Sequence, residues 1–569
     1  MQGFKYRWRF GPSLSASDTA AYAAAPHHLA PTVAQVLYAR GVRPAALTSY
    51  LTPQASQIGD PFLLHGMEAA VRRIRAAMRR RERITVYGDF DVDGVGATVL
   101  LVEALGELGA DVDYVIPGRD EGHGLHIHLL DQLASRGTRL VIAVDTGVTA
   151  VRAVAQAKAR GLDVIVVDHH EPDAVLPEAM ALINPSQPEC SYGYTGLCGT
   201  GLAYKLLTAL VDGMSDARAF RRRALDLVGL ATVADVAPLD GENRVLTRAA
   251  IMALQSTPRP GLRALYDRAG VVARTLTAES IAFTLAPRLN AAGRLAHANL
   301  AARLLLTADV SEAVTLASDL ERLNGERKDL VGRAYAAAVP MVDLGQRVHL
   351  VVTEDWPGGI LGLVAARIVE ETGGVAIVLG RGHDGMCRGS ARAPDGFHLH
   401  DALTRCAGLL DVFGGHARAA GLSIAEHSVP ALRAQLVDMA RDTLPEPGPL
   451  TLSIDACLEA ASLTHEAMTD LYEGLTALEP CGSGNAVPVL AWRGVRIVSC
   501  RHVGAERTHA KLTIESGSGI IDAIAFRRGQ DVGNVRPGQR VHIAARLTRN
   551  TFGGRTQVEL HLCDVALCR

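Results

Sequence analysis

Between Ile84 and about Ala237, short apolar and β-branched runs alternate with stretches whose apolar residues recur at helical spacing. Ile84–Tyr87, Val112–Ile116, Leu140–Val144 and Val164–Val167 read as strands, and Val95–Leu108 as the first intervening helix. That alternation is the pattern of βαβ units and predicts a parallel sheet. Before it, residues 1–80 read as mainly helical, from the spacing in Val33–Gly41 and Met67–Arg81. After Pro238 an Ala- and Leu-rich helical pattern runs to about Val342, and a second α/β unit follows: strand His349–Val352, helix Leu361–Thr372, strand Val375–Leu379. From about residue 450 the pattern changes again. Strand-like runs at Val495–Val498, Ala510–Ile514, Ile520–Ala525, Arg540–Ala545 and Gln557–Leu562, parted by Gly-rich turns such as Gly553–Gly554, predict a small antiparallel barrel.

The expected architecture is therefore multidomain α/β: a helical region at 1–80, a first α/β domain at 81–240, a helical connector at 241–342, a second α/β domain at 343–445 and a β-barrel at 446–569. A chain of 569 residues, 48% hydrophobic and 21% charged, has the material for several cores. Its net charge of −2 supplies no global basic field, so any nucleic-acid surface must be built locally from arginines. Nine cysteines without a C-x-x-C pair argue against a disulfide framework or zinc ribbon and fit a reducing compartment. No apolar run approaches the ~20 residues of a membrane span, and Met1–Phe10 lacks a signal-type apolar core, so the expected location is the cytoplasm with no membrane partner.

The candidate chemistry lies where the strands end. Asp89, Asp91 and Asp93 follow the first strand at i, i+2 and i+4, and such acids repel one another unless a cation sits among them. The plainer reading is a solvated turn capping the next helix through Asp93. Asp145 follows the strand Leu140–Val144, Asp168-His169-His170 follows Val164–Val167, and Asp235 follows an apolar helix. Carboxylates and imidazoles gathered at one sheet rim suit two adjacent divalent ions. The arginine run from Arg72 to Arg83 is more often a solvated helix face than a phosphate contact. Arg288, Asn290 and Arg294, in a segment read as a polar loop, are taken as phosphate contacts. Gly389–Arg392 and Phe413–His416 read as distinctive loops of the second α/β unit.

Asp168-His169-His170 and Val86–Gly94 resemble the signature and first motif of the DHH phosphoesterase superfamily, and Asp145-Thr-Gly147 and Ala234-Asp235 resemble two more of its motifs. Within that superfamily the chain is most similar to the RecJ family of bacterial single-strand-specific 5′→3′ exonucleases. The likeness extends through Pro117–Arg119, Glu121–Gly124, Cys198–Gly201, Ala286–Arg294, Gly389–Arg392, Phe413–Ala417, Leu478–Pro480 and Gly484-Asn485.

The resemblance implies that Asp91, Asp93, Asp145, His169 and Asp235, with Asp89 a further candidate, hold two divalent ions, Mn²⁺ by preference or Mg²⁺, with Asp145 as bridge. It implies that Asp168 orients a histidine, that His170 lies beside the scissile phosphate, and that Ser390, Arg392, Arg119 and Arg294 receive a terminal 5′-phosphate, with His416 close by. The product would be a 5′-mononucleotide, made in DNA repair and recombination. The partners it implies are single-stranded DNA with a 5′ end, a helicase and a single-strand-binding protein, the enzyme itself being a monomer. The second α/β domain would be a DHH-associated (DHHA1) domain and the barrel an OB-fold, with Arg501, His509, Lys511, Arg546, Arg549 and Phe552 as strand contacts. A purely structural barrel stays open, as do a phosphodiesterase for short oligonucleotides or cyclic dinucleotides and a non-catalytic single-strand-binding scaffold. One departure stands out: Trp356-Pro-Gly-Gly359 has Pro357 where the family carries a histidine, which puts one substrate contact in doubt.

Overall fold

The computed structural model describes residues 1–25, 27–504, 507–516, 519–532, 535–552 and 555–568; the expected Gly553–Gly554 turn and the side chain of Phe552 lie outside the described part. The chain forms two compact units, one of residues 1–54, 448–481 and 486–569, the other of 55–447 and 482–485. The expected helical region at 1–80 is thus split. Its first part contains a strand, β1 (Arg7–Phe10), and buries Trp8, whose indole Nε1 donates to Asp564 at 2.8 Å. Its last helix, Met67–Arg80, instead buries Met67, Val71 and Ile74 in the core of the other unit. Periodicity finds both helices but does not say which core each apolar face meets.

In the larger unit, β2 (Arg83–Tyr87), β3 (Val112–Val115), β4 (Thr138–Val144), β5 (Asp163–Val167) and β6 (Ala181–Ile183) form a parallel sheet in the order β3-β2-β4-β5-β6. β2, β4 and β5 are almost wholly buried, as helix-covered parallel strands are. The order reverses between β2 and β4, and the crevice at the carboxyl ends of such neighbours is where α/β sheets bind ligands. Asp89 and Asp145 follow these two strands.

The connector is helical, ending in the 29-residue helix Val310–Ala338. The expected loop around Arg288 is in fact a helix, Ala286–Leu295, which continues directly from a π-helical turn at Ile281–Leu285. β7 (Val348–Thr353), β8 (Val375–Arg381), β9 (Met386–Arg392), β10 (Leu410–Gly415) and β11 (Ala419–Ala425) make the second sheet, in the order β10-β11-β9-β8-β7, with only β7 and β8 parallel. Gly389–Arg392 and Phe413–Gly415 are therefore strand segments rather than loops. A Cβ on Gly389 would stand 2.0 Å from the Val378 carbonyl oxygen, so this glycine serves close strand packing and not a turn.

In the smaller unit β1 pairs with β12 (Thr451–Ile454), and β13 (Ala456–Glu459) runs parallel to β14 (Leu490–Val503). β14, β15 (His509–Ser516), β16 (Gly519–Ala525), β18 (Arg555–Leu567) and β17 (Arg540–Phe552) pair in that order, and β17 pairs back to β14. The expected five-stranded barrel is present and closed, antiparallel throughout except where β16 runs parallel to β18. Among the described residues no helix is long and apolar enough to cross a membrane, and no disulfide is formed.

Candidate metal centre and arginine pocket

After Tyr87 the chain turns through Gly88 and Asp89 into the helix Val92–Glu107. Asp91 is its N-cap, with Oδ1 accepting from the N–H groups of Asp93 (2.9 Å) and Gly94 (3.2 Å). The capping expected of Asp93 falls to Asp91 because the helix starts earlier than Val95. Asp93 is buried and accepts from Gly199 N (2.6 Å) and Thr200 N (2.7 Å) at the start of the helix Gly199–Leu210. A Cβ on Gly94 would stand 2.5 Å from Asp89 N, and one on Gly88 2.0 Å from Thr98 Oγ1. The acidic turn closes only with glycine at both.

Asp145 follows β4 at φ +59°, a left-handed conformation that aspartate tolerates. His169 follows β5, and its Nε2 lies 3.1 Å from Asp145 Oδ1, 3.8 Å from Asp93 Oδ2 and 3.9 Å from Asp235 Oδ2. Asp235 arrives from the end of the helix Ala217–Ala234 rather than from a strand. Two of the four groups of metal-ligating side chains among the described residues are Asp89-Asp91-Asp145 and Asp93-Asp145-His169, each with donor atoms within 4.8 Å of one another. Asp145 belongs to both.

The donor set fits divalent cations. The buried oxygens Asp89 Oδ1 and Asp145 Oδ1 accept no well-aligned hydrogen bond among the described residues, although the ring nitrogens His123 Nδ1 (3.3 Å) and His169 Nε2 (3.1 Å) lie beside them. Burial, with neighbouring carboxylates, pushes Asp91 up to about 6 and raises Asp145 and Asp235 well above the usual carboxylate range. Burial and the neighbouring His170 push His169 down to about 4, leaving a neutral imidazole able to ligate. Acceptors without a well-aligned donor and mutually repelling acids are what a hard cation satisfies.

Asp168 is buried, 2.7 Å through Oδ1 from His170 Nδ1, and its Oδ2 accepts from Val148 N at 2.9 Å. Burial would raise its pKa, but His170, His169 and His123 hold it well below the usual range. An ionised Asp168 makes Nδ1 of His170 the donor and leaves Nε2 free. His416, just after β10, stacks on His170 with centroids 4.5 Å apart, and lies 5.6 Å from His169. Burial and those two rings push it down to about 3.

His123 was not singled out from the sequence, although it sits in the Glu121–Gly124 segment that carries the resemblance. Its ring is 4.6 Å from that of His170, and Nδ1 is 3.3 Å from Asp89 Oδ1. Burial opposes its charged form, but Asp89, with Asp168 and Asp91, raises it to about 9. Because the folded value exceeds the unfolded ~6.5, this contribution is complete below pH ~6.5 and is lost as pH rises toward 9. In chelator, thermal unfolding should show the melting temperature falling between pH ~6.5 and about 9, less steeply in His123→Gln. Equal slopes would refute the pairing.

Arg119 donates to Gly293 O (2.7 Å) and lies over the Phe90 ring at 4.0 Å. Arg294 donates to Gly359 O (3.0 Å) and Arg392 to Ala391 O (2.8 Å). A Cβ on Gly362 would stand 2.8 Å from Arg392 Nη2 and 3.2 Å from Ser390 Oγ, so the helix Gly358–Thr372 leaves room for both side chains. Burial and then Arg119, Arg392 and Arg327 push Arg294 down to about 9, and burial with Arg119 pushes Arg392 down to about 10. None of Arg119, Arg294 and Arg392 has a carboxylate salt bridge among the described residues. Crowded cations without an acid form a receptor for an anion. Pro357 precedes that same helix and offers no donor.

Arg288 and Asn290 do not join them. Arg288 is buried against Glu321, Nε to Oε2 at 2.5 Å and Nη2 to Oε1 at 3.2 Å, and donates to Thr284 O at 2.7 Å. Asn290 Oδ1 accepts from Val92 N at 3.1 Å and so steadies the acidic turn. Six helical steps of about 100° turn Arg288 away from the face that carries Arg294. Arg288→Met should cost about 1–3 kcal/mol in denaturant unfolding while preserving any preference for 5′-phosphorylated ends; a lost preference would restore the phosphate role. The arginine run is largely the solvated face expected of it: Arg72, Arg75, Arg79, Arg80, Arg81 and Arg83 are exposed, and Arg73 alone turns inward, onto Asp163 and Glu82 (both 2.6 Å). On the barrel, Lys511 pairs with Asp522 (2.7 Å), while Phe526, unremarked in the sequence, is half-exposed between His509 and His561.

Family models for the DHH family N-terminal domain, the DHHA1 domain and the RecJ OB domain match residues 83–232, 345–442 and 454–564. The chain is 36% identical over 547 residues to the single-stranded-DNA-specific exonuclease RecJ of Bacillus subtilis, covering 95% of this chain and 68% of that protein. It is 33% identical over 571 residues to that of Escherichia coli, covering 95% and 96%. The chain belongs to the RecJ family. The crystal structure of RecJ from Thermus thermophilus with Mn²⁺ matches 99% of this chain and 80% of its own, at 28% identity and a TM-score of 0.83. The same protein with Mg²⁺ matches at 26% identity, 99% and 79% coverage and a TM-score of 0.77. RecJ structures of this fold are thus known in complex with Mn²⁺ and with Mg²⁺.

Proposed function

We propose that this chain is a metal-dependent exonuclease that degrades single-stranded DNA from its 5′ end, releasing 5′-mononucleotides. The observation that carries the reading is the acid and histidine cluster around Asp145 in the same unit as an arginine pocket with no paired acid. Asp91, Asp93, Asp145, His169 and Asp235, with Asp89, would hold two divalent ions, Mn²⁺ by preference, with Asp145 shared between them. Bound there, such ions supply Lewis acidity toward the scissile phosphate and lower the pKa of an attacking water. Asp168 accepts from Nδ1–H of His170 and orients the ring, so that Nε2, when it carries a proton, donates to the phosphate as charge develops. His416 packs against that ring and limits its rotation. Arg119, Arg294 and Arg392, with Ser390, hold the terminal 5′-phosphate. Because the end itself is gripped, the linkage presented to the acidic cluster is set by the 5′ terminus, and polarity follows. The barrel offers a surface of its own for single-stranded DNA, to which Phe526 gives one aromatic face. In the cell this activity would serve repair and recombination in the cytoplasm, the enzyme acting as a monomer on strands opened by a helicase and coated by a single-strand-binding protein.

The test is digestion of internally labelled single-stranded DNA, blocked at its 5′ or its 3′ end, in Mn²⁺. Degradation should continue past a 3′ block and stop at a 5′ block. The opposite pattern would reverse the polarity. Cleavage of dinucleotides alone would assign the protein to short oligonucleotides, and no cleavage of either would leave a binding scaffold.

A further inference from the structure

The helix Ala217–Ala234 ends on Asp235 and leaves through Val236, which sits at φ +59°. Val236 N donates to Val233 O (3.2 Å) and Ala237 N to Thr232 O (3.1 Å). This bond pair is a Schellman ending, whose left-handed position is ordinarily glycine. A β-branched residue is among the least favourable occupants there. Burial does not repay the strain, since Val236 is 66% exposed.

The backbone of this turn is held from outside. Leu239 N donates to Ser483 O at 2.8 Å. Gly482 and Gly484 pack on the same turn, where a Cβ on either would stand 2.7 Å from Leu239 Cδ1 or 3.3 Å from Pro238 Cβ. Surroundings that over-determine a strained residue are what allow it to persist. Glycine would satisfy that backbone at lower cost, so what valine adds is its side chain. That side chain is apolar, open to solvent and one residue from Asp235, whose carboxylate reaches 3.9 Å from His169 Nε2.

We propose that Val236 is a wall of the substrate cleft against which the base of the nucleotide being released packs. The inference rests on the exonuclease reading and adds a contact to it. An isopropyl group offers nothing to a phosphate, whereas every base presents an apolar face, so the contact would tolerate any sequence.

The test uses the full chain in Mn²⁺, with a 5′-phosphorylated oligonucleotide and its counterpart carrying an abasic 5′-terminal nucleotide. Val236→Gly should raise the melting temperature yet raise KM about tenfold more than it lowers kcat. Val236→Thr, equal in shape but polar, should raise KM without raising the melting temperature, and Val236→Ile should keep the wild-type KM. On the abasic oligonucleotide the wild type and Val236→Gly should share one KM. A glycine variant with unchanged or lower KM on the normal oligonucleotide would overturn the proposal, since a purely structural role makes glycine the better residue. A difference that persists on the abasic substrate would overturn the contact with the base. A wild type inactive on the oligonucleotide would remove the exonuclease reading and this contact together, whereas an active wild type with an unaffected glycine variant removes the contact alone.

Discussion

Asp145→Asn is expected to lower Mn²⁺-dependent degradation of single-stranded DNA by about 10³-fold or more while making the chelated protein more stable than the wild type. The two effects have one origin. Asp145 is the member common to both ligand groups, and its Oδ1 is buried and accepts no well-aligned hydrogen bond among the described residues. Burial and then Asp93, Asp91, Asp89 and Asp235 disfavour its charge when no cation is bound, so an isosteric amide relieves repulsion. With cations bound the same charge is needed, and a metal's stabilisation of a phosphoryl-transfer transition state is worth several kcal/mol, at one decade in rate for each ~1.4. Thermal unfolding in chelator and in Mn²⁺ reads both. The wild type should gain stability on adding Mn²⁺ by mass action, and the variant little. A variant that keeps its activity, or an equal Mn²⁺-induced rise in melting temperature, would remove Asp145 from the centre.

Arg392→Met should act in the same two directions through the opposite sign of charge. Arg392 stands with Arg119 and Arg294 in a pocket where like charges crowd one another, and removing one cation should raise the melting temperature of the substrate-free protein. A charge-assisted hydrogen bond contributes about 1.5–3 kcal/mol, so the rate on a 5′-phosphorylated strand should fall roughly 10- to 100-fold. On a 5′-hydroxyl strand, which brings no terminal dianion, the loss should be small. The comparison of the two substrates is the measurement, and an equal loss on both would mean that Arg392 does not read the 5′ end.

Much of the centre is legible in the chain because β-strands announce themselves locally. Apolar runs at 84–87, 140–144 and 164–167 each end in an acid or histidine, and parallel strands place their carboxyl ends at one rim, so the sequence alone groups Asp89, Asp145 and His169. The helix face of the connector is not legible in the same way. Arg288 and Arg294 look equivalent in sequence, yet one is spent on Glu321 and the other faces Arg119 and Arg392, a matter of rotation about the helix axis that only packing decides. His123 offers a composition signal no stronger than any surface histidine until the fold sets it beside Asp89 and His170.

By itself the sequence determined the α/β alternation, the parallel sheet beneath the acidic cluster, the five barrel strands and the acids at the strand ends, because each follows from local periodicity and from residue chemistry at a turn. Only the tertiary structure decided that residues 1–54 join the C-terminal barrel unit, that 389–392 and 413–415 are strands, that Asp91 rather than Asp93 caps its helix, and that Val236 is held left-handed beside Asp235. Those outcomes depend on contacts between segments far apart in the chain, whose energies no window of neighbouring residues contains.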